Sequence, residues 1–246
     1  APVHFLSKAT MYAKCLWHMV ASSDVKKSKD PKPVVKQEAA RGTARTALAD
    51  PAVYALDTLK KPERAALVEF WEGWQDELAG IRLLDPACGS GAFLIQAFDQ
   101  LYAEYQASND RLRELGVNRP LLDLDKRILQ DNLYGVDLND EAVEICRLSL
   151  WIKTAHRGKP LTSLDHTICV GNSIVADPRV DPRAFDWQAS FPEVFRDGGF
   201  DVVVANPPYV RQELLQPVKP HLETAYRTYH GMADLYVYFY ELGLRL

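Results

Sequence analysis

The sequence has little cysteine, no long apolar run and no surplus of positive charge. Its four cysteines lie far apart in the 246 residues, at positions Cys15, Cys88, Cys146 and Cys169. Their spacing matches no zinc-binding pattern, so we predict no metal site and four reduced thiols. No stretch approaches the ~18 consecutive apolar residues of a membrane span, and the N-terminus lacks the apolar core of a signal peptide. The sequence therefore predicts a cytoplasmic protein without a membrane span.

Acidic residues outnumber basic ones by 33 to 29, and the formal net charge is −4. A protein whose surface is built to bind nucleic acid should carry a basic face. Any such face must be local here, or must belong to a part of the protein outside this chain. Hydrophobic residues make up 47% of the sequence, which is enough for one large core.

The best-defined pattern is a strand, a glycine-rich turn and a helix in the first half of the chain. The apolar run at 81–85 predicts a buried strand, and the apolar spacing from Ala92 onward predicts a helix. Gly89 and Gly91 allow the backbone angles of a tight turn and let a ligand approach the chain closely. A dinucleotide-binding turn would have a third glycine where this sequence has Leu94, so hydride-transfer chemistry is disfavoured.

The groups around this turn suit a ligand that carries two opposite charges. Asp85, at the end of the strand, is suited to an ammonium group. The N-terminus of the helix offers N–H groups and the positive end of a dipole, which suit a carboxylate as well as a phosphate. A ligand with an ammonium and a carboxylate is an amino acid, and S-adenosylmethionine is an amino acid attached to a nucleoside. For the two glycines alone, an ordinary strand-to-helix turn is the alternative.

A second strand-and-loop pattern follows near the C-terminal end of the chain. The β-branched run at 200–205 predicts a strand, which leads into the tetrapeptide Asn206-Pro207-Pro208-Tyr209. The prolines cannot continue a central strand because they donate no ladder hydrogen bonds. They stiffen a loop at the carboxyl end of the strand, which is where ligands bind in open α/β sheets.

Together, the two patterns resemble those of the amino-methylating DNA methyltransferases, specifically the N6-adenine-specific class. The resemblance rests on Asp85-Pro86-Ala87-Cys88-Gly89-Ser90-Gly91-Ala92-Phe93 and on the Asn-Pro-Pro-Tyr tetrapeptide, each at the end of a predicted strand. It covers about residues 81–246 and is similar to the methylase part of large restriction-modification and phage-defence enzymes. It implies an α/β, Rossmann-like S-adenosylmethionine-dependent methyltransferase fold, with a mostly parallel sheet and helices on both faces.

Two departures from the family pattern lead us to expect an incomplete fold. The family's upstream aromatic-Thr-Pro motif, which contacts the methionine end of the cofactor, is not found, and the segment near Tyr12 is a poor match. Only four strands are predicted, and the full family sheet has more. They lie at 81–85, 133–138, 167–170 and 200–205. We therefore expect the remaining strands to lie beyond this chain or to be absent, and we expect the chain to be a fragment.

The resemblance assigns cofactor contacts to the glycine turn and to the ends of later strands. The contacts that it implies in the turn are those of Asp85, Pro86, Ala87, Cys88, Gly89, Gly91 and Phe93. Asn172, followed by Ser173, is implied to meet the adenine ring of the cofactor, with a strand-end turn as the alternative. Asn206 is implied to lie next to the cofactor as well as to act in catalysis.

Asp137 ends the predicted second strand, about fifty residues after the glycine turn. The resemblance implies that it binds the ribose hydroxyls of the cofactor, with Leu138 beside it. The alternative is that Asp137 caps the following helix, a role for which Asn139 and Asp140 also compete.

The tetrapeptide is implied to carry the chemistry. The exocyclic amine of adenine is a poor nucleophile because its lone pair is delocalised into the ring. The side-chain oxygen of Asn206 and the carbonyl of Pro207 would accept its hydrogens and direct the lone pair at the sulfonium methyl. Pro208 helps to fix that carbonyl, and Tyr209 would stack on a base flipped out of the duplex. This chemistry needs no covalent nucleophile and no metal.

We predict two parts in the chain. The first is a helical segment at 1–60 with a mobile Lys/Pro loop at about 21–38. The second is the methyltransferase domain at 61–246, truncated at its C-terminus. Its predicted helices are 62–79, 92–106, 126–132, 141–155 and one that begins near Asp234.

Double-stranded DNA is the implied partner, and we expect its sequence to be recognised by a region C-terminal to this chain. A methyltransferase that acts on protein glutamine or on RNA is an alternative, because the same tetrapeptide suits any planar amide or amine nitrogen. A non-catalytic, cofactor-binding fragment of a larger defence complex is another alternative.

Overall fold

A computed structural model describes residues 59–119, 123–155 and 161–246. The predicted N-terminal segment at 1–60, with its loop at about 21–38, therefore lies almost wholly outside the described residues. Among the helices of the described ranges, none is long and apolar enough to cross a membrane.

The chain divides into two compact units. Of the described residues, the first unit contains 59–76 and 104–119, and the second contains the others. Within the first unit, the side-chain amide of Gln75 donates to the buried Ser108 hydroxyl over 3.1 Å. The predicted start of the methyltransferase domain at residue 61 stays a prediction.

The strands and helices are numbered here in chain order. The strands are β1 Leu83–Asp85, β2 Leu133–Asp137, β3 Ile168–Val170 and β4 Val202–Val203. The α-helices are α1 Lys61–Gly80, α2 Ala92–Glu114, α3 Leu124–Arg127, α4 Asp140–Thr154, α5 Trp187–Ser190, α6 Pro192–Arg196, α7 Lys219–Ala225 and α8 Leu235–Arg245. A π-helix follows α3 and a 3₁₀ helix precedes α7, at Ile128–Asn132 and Gln212–Leu215.

The four strands form one parallel sheet in the order β3-β2-β1-β4. Leu84 of β1 lies opposite Tyr134 of β2 and opposite Val203 of β4. Because all of the pairs are parallel, the carboxyl ends of the strands meet at one edge of the sheet. The predicted α/β, Rossmann-like fold with a parallel sheet is confirmed.

Helices pack on both faces of this sheet, as expected for parallel strands that are buried on both sides. On one face, Tyr134 belongs to a buried cluster that includes Tyr238 and Leu242 of α8. Side chains alternate along a strand, so the next residue, Gly135, faces the other side. A Cβ atom at Gly135 would lie 2.8 Å from Leu94 Cδ1 of α2, so a larger residue here would force the leucine side chain to move.

Helix α2 is longer than the predicted helix at 92–106, because it continues to Glu114. The polar residues at 108–110 interrupt the apolar pattern, although Leu112 beyond them is fully buried. The helix is followed by Gly116, whose φ is +81°, and the N–H of Val117 donates to the Leu112 carbonyl over 2.8 Å. This is the usual way in which a glycine after the last turn satisfies helix carbonyls.

Strand β4 is shorter than the predicted strand at 200–205. The N–H groups of Asp201 and Val204 still donate to the carbonyls of Arg82 and Leu84, over 3.0 and 2.9 Å. After Val204 the chain enters the proline tetrapeptide, which cannot continue the ladder of hydrogen bonds. The strand therefore ends early and delivers the tetrapeptide to the carboxyl edge of the sheet.

Candidate active site

Backbone hydrogen bonds close the glycine turn between β1 and α2. The N–H of Cys88 donates to the Val136 carbonyl over 3.0 Å, and the N–H of Gly91 donates to the Cys88 carbonyl over 2.8 Å. The Asp85 carboxylate accepts from the N–H of Ala87 over 3.0 Å. These hydrogen bonds fix the conformation of the turn, and the bond from Cys88 to Val136 links it to the neighbouring strand β2.

Both glycines of the turn have a positive φ, +51° at Gly89 and +87° at Gly91. A Cβ atom at Gly91 would lie only 2.5 Å from the Sγ of Cys146 in α4, whereas a Cβ atom at Gly89 would meet nothing within 4 Å. Gly91 is thus required by its conformation and by space, and Gly89 is required by its conformation alone.

Asp85 is a buried carboxyl group, with 1% of its surface exposed. Burial raises the pKa of Asp85 to about 7. The Asp137 carboxylate adds to the rise, and the hydrogen bond from Ala87 opposes it. A buried carboxylate that has lost its water is stabilised strongly by a nearby cation. The environment of Asp85 therefore fits the ammonium group of an amino acid.

Asp137 joins the end of β2 to the glycine turn. Its Oδ2 accepts from the N–H of Gly89 over 2.8 Å, and its Oδ1 accepts from the N–H of Asn139 over 2.9 Å. Asn139 itself caps α4, since its side chain accepts from the N–H of Ala142. The interpretation of Asp137 as the helix cap is therefore wrong. A carboxylate has about four acceptor sites, so Asp137 can still accept from a ribose hydroxyl, beside the exposed side chain of Leu138.

The end of β3 turns its polar side chains into the protein. The Ser173 hydroxyl is buried and donates to the Pro86 carbonyl over 2.6 Å. The side-chain amide of Asn172 donates to the Asp181 carboxylate over 2.7 Å. Ser173 therefore supports the glycine turn through Pro86. A contact of Asn172 with a ligand stays a prediction, and its amide already has a protein partner.

The other side chains of the turn differ in exposure. Pro86 and Cys88 are buried, Ala87 is half-buried and Phe93 is 44% exposed. A hydrogen bond with the Cys146 thiol, together with burial, raises the pKa of the Cys88 thiol. Cys88 is therefore an unreactive core group, whereas Phe93 presents an apolar ring in the first turn of α2.

The tetrapeptide leaves the sheet next to the glycine turn because β4 pairs with β1. Leu84 lies opposite Val203, so Asp85 is one residue and Asn206 three residues beyond this pair. Asn206 and Tyr209 are exposed, the latter with 85% of its surface. A cavity of about 550 Å³ opens beside them.

The other wall of this cavity comes from α8. Tyr236 and Tyr240 line the cavity from α8. The signal for them was their spacing, since residues four positions apart lie on one face of a helix. The remaining lining residues are apolar or small: Val203, Ala205, Pro207, Phe239, Gly243 and Leu244.

Within the residues that the structure describes, no group of three or more His, Cys, Asp or Glu side chains is placed to hold a metal ion. Cys88, Cys146 and Cys169 are free thiols. Cys15 and the segment near Tyr12 lie outside the described residues.

Comparison with known proteins defines the class of the chain. Residues 131–246 match the family described as Eco57I restriction-modification methylase, and residues 65–157 match the family described as RMKL-like, methyltransferase domain. The two matches together span the sheet and the loops at its carboxyl edge. Residues 65–246 are therefore covered by matches to two methyltransferase families.

Curated relatives narrow this class. The type II restriction enzyme and methyltransferase RM.Eco57I of Escherichia coli is 28% identical over 209 residues, which cover 76% of this chain and 21% of that protein. The type II methyltransferase M.BstVI of Geobacillus stearothermophilus is 31% identical over 175 residues, 69% of this chain and 27% of that protein. The adenine-specific methyltransferase PglX of Streptomyces coelicolor is 30% identical over 158 residues, 53% of this chain and 12% of that protein.

Residues 131–246 are therefore similar to the Eco57I restriction-modification methylases. The resemblance to adenine-specific methyltransferases of restriction-modification enzymes is thus confirmed. The chain spans less than a third of the length of each of these relatives.

Proposed function

We propose that this chain is the catalytic domain of an S-adenosylmethionine-dependent enzyme that methylates the N6 amine of adenine in DNA. We place the enzyme in a restriction-modification or phage-defence system. The observation that carries the proposal is the pairing of β4 with β1, which brings Asn206 beside the glycine turn at one edge of the sheet. A methyl donor at the turn would then face a base at the tetrapeptide. The printed names of the relatives, adenine-specific and type II methyltransferases, support the same reaction.

The residues in and around the glycine turn fit S-adenosylmethionine by their charge and by the hydrogen bonds that they can still form. The buried Asp85 carboxyl suits the ammonium group. The first N–H groups of α2 have no partner within the helix and suit the carboxylate. Asp137 keeps acceptor sites for the ribose hydroxyls, and Asn172 would lie towards the adenine ring. When bound, the cofactor supplies an electrophilic methyl group on a sulfonium.

The tetrapeptide would prepare the amine of the target base. The Asn206 side-chain oxygen and the Pro207 carbonyl each accept one hydrogen of the amine, which places the lone pair on nitrogen. Two successive prolines restrict the loop, so the acceptors are oriented before the base arrives. As the nitrogen–carbon bond forms, the methyl–sulfur bond would break and the sulfonium would leave as a neutral thioether. The amine would lose one proton, and the exposed position of Asn206 gives this proton a route to water.

Double-stranded DNA would be the substrate, with the target adenine flipped out and stacked on Tyr209. Flipping costs a few kcal/mol, which contacts with the extruded base must offset. Phosphate contacts supply most non-specific DNA affinity. Because the net charge of the chain is −4, we expect it to bind duplex weakly and without sequence preference. Target recognition would come from a region C-terminal to Leu246, in a cytoplasmic enzyme.

Transfer of radiolabelled methyl groups to unmethylated duplex DNA tests the proposal, with this chain beside a longer form of the protein. Calorimetry measures the affinity for S-adenosylmethionine separately. Nuclease digestion and mass spectrometry should then find the label on adenine N6. Labelling of protein glutamine or RNA in place of DNA would favour the alternative substrates. Cofactor binding without transfer in either form would favour a non-catalytic, cofactor-binding chain.

A further inference from the structure

The segment between β3 and α5 contains the tripeptide Asp-Pro-Arg twice in close succession, at 177–179 and 181–183. In each copy the aspartate carboxylate accepts a hydrogen bond from the backbone N–H of the arginine, over 2.9 Å in the first and 2.8 Å in the second. Each aspartate carbonyl accepts from the N–H three residues later, over 3.0 and 2.9 Å. The two copies therefore form the same kind of turn, and each presents an exposed arginine.

The two arginines have different partners. The guanidinium of Arg179 donates to both oxygens of the Asp177 carboxylate, over 2.7 Å from Nη2 and 3.0 Å from Nε. In the second copy, the side-chain amide of Asn172 donates to the Asp181 carboxylate over 2.7 Å. The carboxylate of Asp181 is thus used by the end of β3, and the guanidinium of Arg183 extends away from its own turn.

Arg183 bridges the carboxyl ends of β2 and β3. Its backbone carbonyl accepts from the N–H of Asn172, the second residue after β3, over 2.6 Å. Its Nη1 donates to the carbonyl of Leu138, the first residue after β2, over 3.0 Å. The segment is packed closely, since a Cβ atom at Gly171 would lie 2.5 Å from the buried ring of Phe185. The position of the arginine is therefore set by both strand ends.

This position suits the adenine ring of the proposed cofactor. Asp137, which we propose to bind the ribose, directly precedes Leu138, so the adenine would lie between the ends of β2 and β3. The side chain of Asn172 is already used there, because its amide donates to Asp181 and its oxygen accepts from the N–H of Ile174 over 3.3 Å. A guanidinium has several N–H donors, of which the bond to the Leu138 carbonyl uses one. Its plane can also stack on a nucleobase.

We propose that Arg183 binds the adenine ring of the cofactor, with its guanidinium plane against the base, and that Asn172 anchors the turn that carries Arg183. This inference rests on the proposed function, because it needs S-adenosylmethionine at the carboxyl edge of the sheet. Adenine offers ring nitrogens that accept hydrogen bonds and a π face that attracts a cation. Arg183 can satisfy both from one exposed position.

The test is calorimetry with two ligands that share the adenosine group. S-adenosylhomocysteine carries an amino acid and adenosine, whereas 5′-methylthioadenosine has neither ammonium nor carboxylate and is measured by displacement of the first ligand. Arg183→Ala should weaken both ligands by the same factor, about 5- to 30-fold, as expected for loss of a cation–π contact that is partly shielded from water. Asp85→Asn should weaken S-adenosylhomocysteine alone, because only this ligand has an ammonium group.

The second copy of the tripeptide has a matched control in the first. Arg179→Ala removes the same residue type from the same turn, four residues earlier, and should stay within about twofold of wild type for both ligands. Arg183→Lys keeps the positive charge and a donor for the Leu138 carbonyl but lacks the planar group, so it should show most of the loss. If Arg183 acted only as a tether between its turn and β2, lysine would restore the affinity.

Three results would overturn the proposal. They are wild-type affinity in Arg183→Ala, full recovery of affinity in Arg183→Lys, and a loss that affects S-adenosylhomocysteine but not 5′-methylthioadenosine. Failure of the proposed function looks different. If the wild-type chain binds both ligands but neither it nor a longer form transfers methyl groups to DNA, the proposed function fails, and the Arg183 variants still decide this inference. Absence of binding of either ligand to the wild-type chain would remove both.

Discussion

The glycine turn and the Asn-Pro-Pro-Tyr loop end neighbouring strands of one sheet, yet they are built differently. In the turn, Asp85 and Cys88 are buried, and backbone N–H groups at 87, 88, 89 and 91 donate to protein acceptors. In the loop, Asn206 and Tyr209 are exposed beside an open cavity. The glycine turn is thus largely buried and hydrogen-bonded, whereas the Asn-Pro-Pro-Tyr loop is largely exposed.

The difference matches the tasks that we propose for the two regions. A cofactor is the same molecule in every cycle, so a rigid turn can be complete before it binds. A base extruded from DNA must enter from outside, so its stacking surfaces must stay open until it arrives. Variants in the turn should therefore affect folding and cofactor affinity, whereas variants in the loop should affect transfer or base capture.

Asn206→Ala is expected to give the largest difference between the effect on methyl transfer and the effect on cofactor affinity. Removal of one preorganised polar group from a reacting centre costs about 10²–10³-fold in rate. We expect a loss of methyl transfer of at least this size, with affinity for S-adenosylmethionine within a few fold of wild type. Gln216→Ala, at an exposed position in the segment after the loop, is the control and should change neither quantity. Transfer at the wild-type rate in Asn206→Ala would end the mechanism proposed here.

Variants in the glycine turn should lower the free energy of unfolding, and the largest loss is expected at Gly91. Gly91→Ala forces a side chain into left-handed backbone and against the Cys146 thiol. Left-handed strain costs ~1–2 kcal/mol, and overpacking costs ~1–3 kcal/mol more. Urea unfolding should therefore show a loss of about 2–5 kcal/mol. Gly89→Ala, with open space at its Cβ, should lose only ~1–2 kcal/mol. Equal losses in the two variants would contradict the contact with Cys146.

The Asp85 carboxyl should make cofactor affinity depend on pH. Its pKa of about 7 means that the fraction in the charged form rises from about one tenth at pH 6 to about nine tenths at pH 8. Only the charged form attracts an ammonium group. Calorimetry should therefore show higher affinity for S-adenosylmethionine at pH 8 than at pH 6. The rise should be smaller than about tenfold, because the α-amino group of the cofactor loses part of its own charge near pH 8. Asp85→Asn should bind weakly and show no such rise.

The same group sets a pH dependence of stability with the opposite sign. The pKa of Asp85 is raised above its value of about 3.9 in the unfolded chain, so the folded state holds its proton more tightly. The free energy of unfolding should fall as pH rises from about 4 to about 7, when no cofactor is present. Asp85→Asn should show a smaller fall across this window in urea titrations. An identical dependence in both proteins would show that another group is responsible.

The smallest effect is expected from Ser173→Ala. Loss of the hydrogen bond to the buried Pro86 carbonyl should lower stability by about 1 kcal/mol. Cofactor affinity should fall by less than tenfold if Ser173 acts only by supporting the turn. Ser190→Ala, at a half-buried serine on α5, is the control for a generic loss of a hydroxyl. A much larger loss of affinity, with normal stability, would indicate direct contact between Ser173 and the cofactor.

Much of the fold was predictable because its signals are local. Apolar runs marked β1, β2 and β3, and two prolines marked the end of β4. The two errors in length have different causes. Helix α2 continues through its polar stretch because tertiary contacts bury Leu112 beyond it. Strand β4 is short for a local reason, because the proline loop that follows cannot pair.

The sequence by itself determined the kinds of chemical group at the two loops. Glycine, proline and asparagine act there through backbone angles and fixed donor or acceptor atoms, which depend on few neighbours. Only the tertiary structure decided where polar and aromatic side chains point. Ser173 turns to Pro86, Asp137 binds the N–H of Gly89, and Tyr236 faces the cavity. Such directions depend on partners many residues away in the chain, which come together only when the parallel sheet aligns its carboxyl ends.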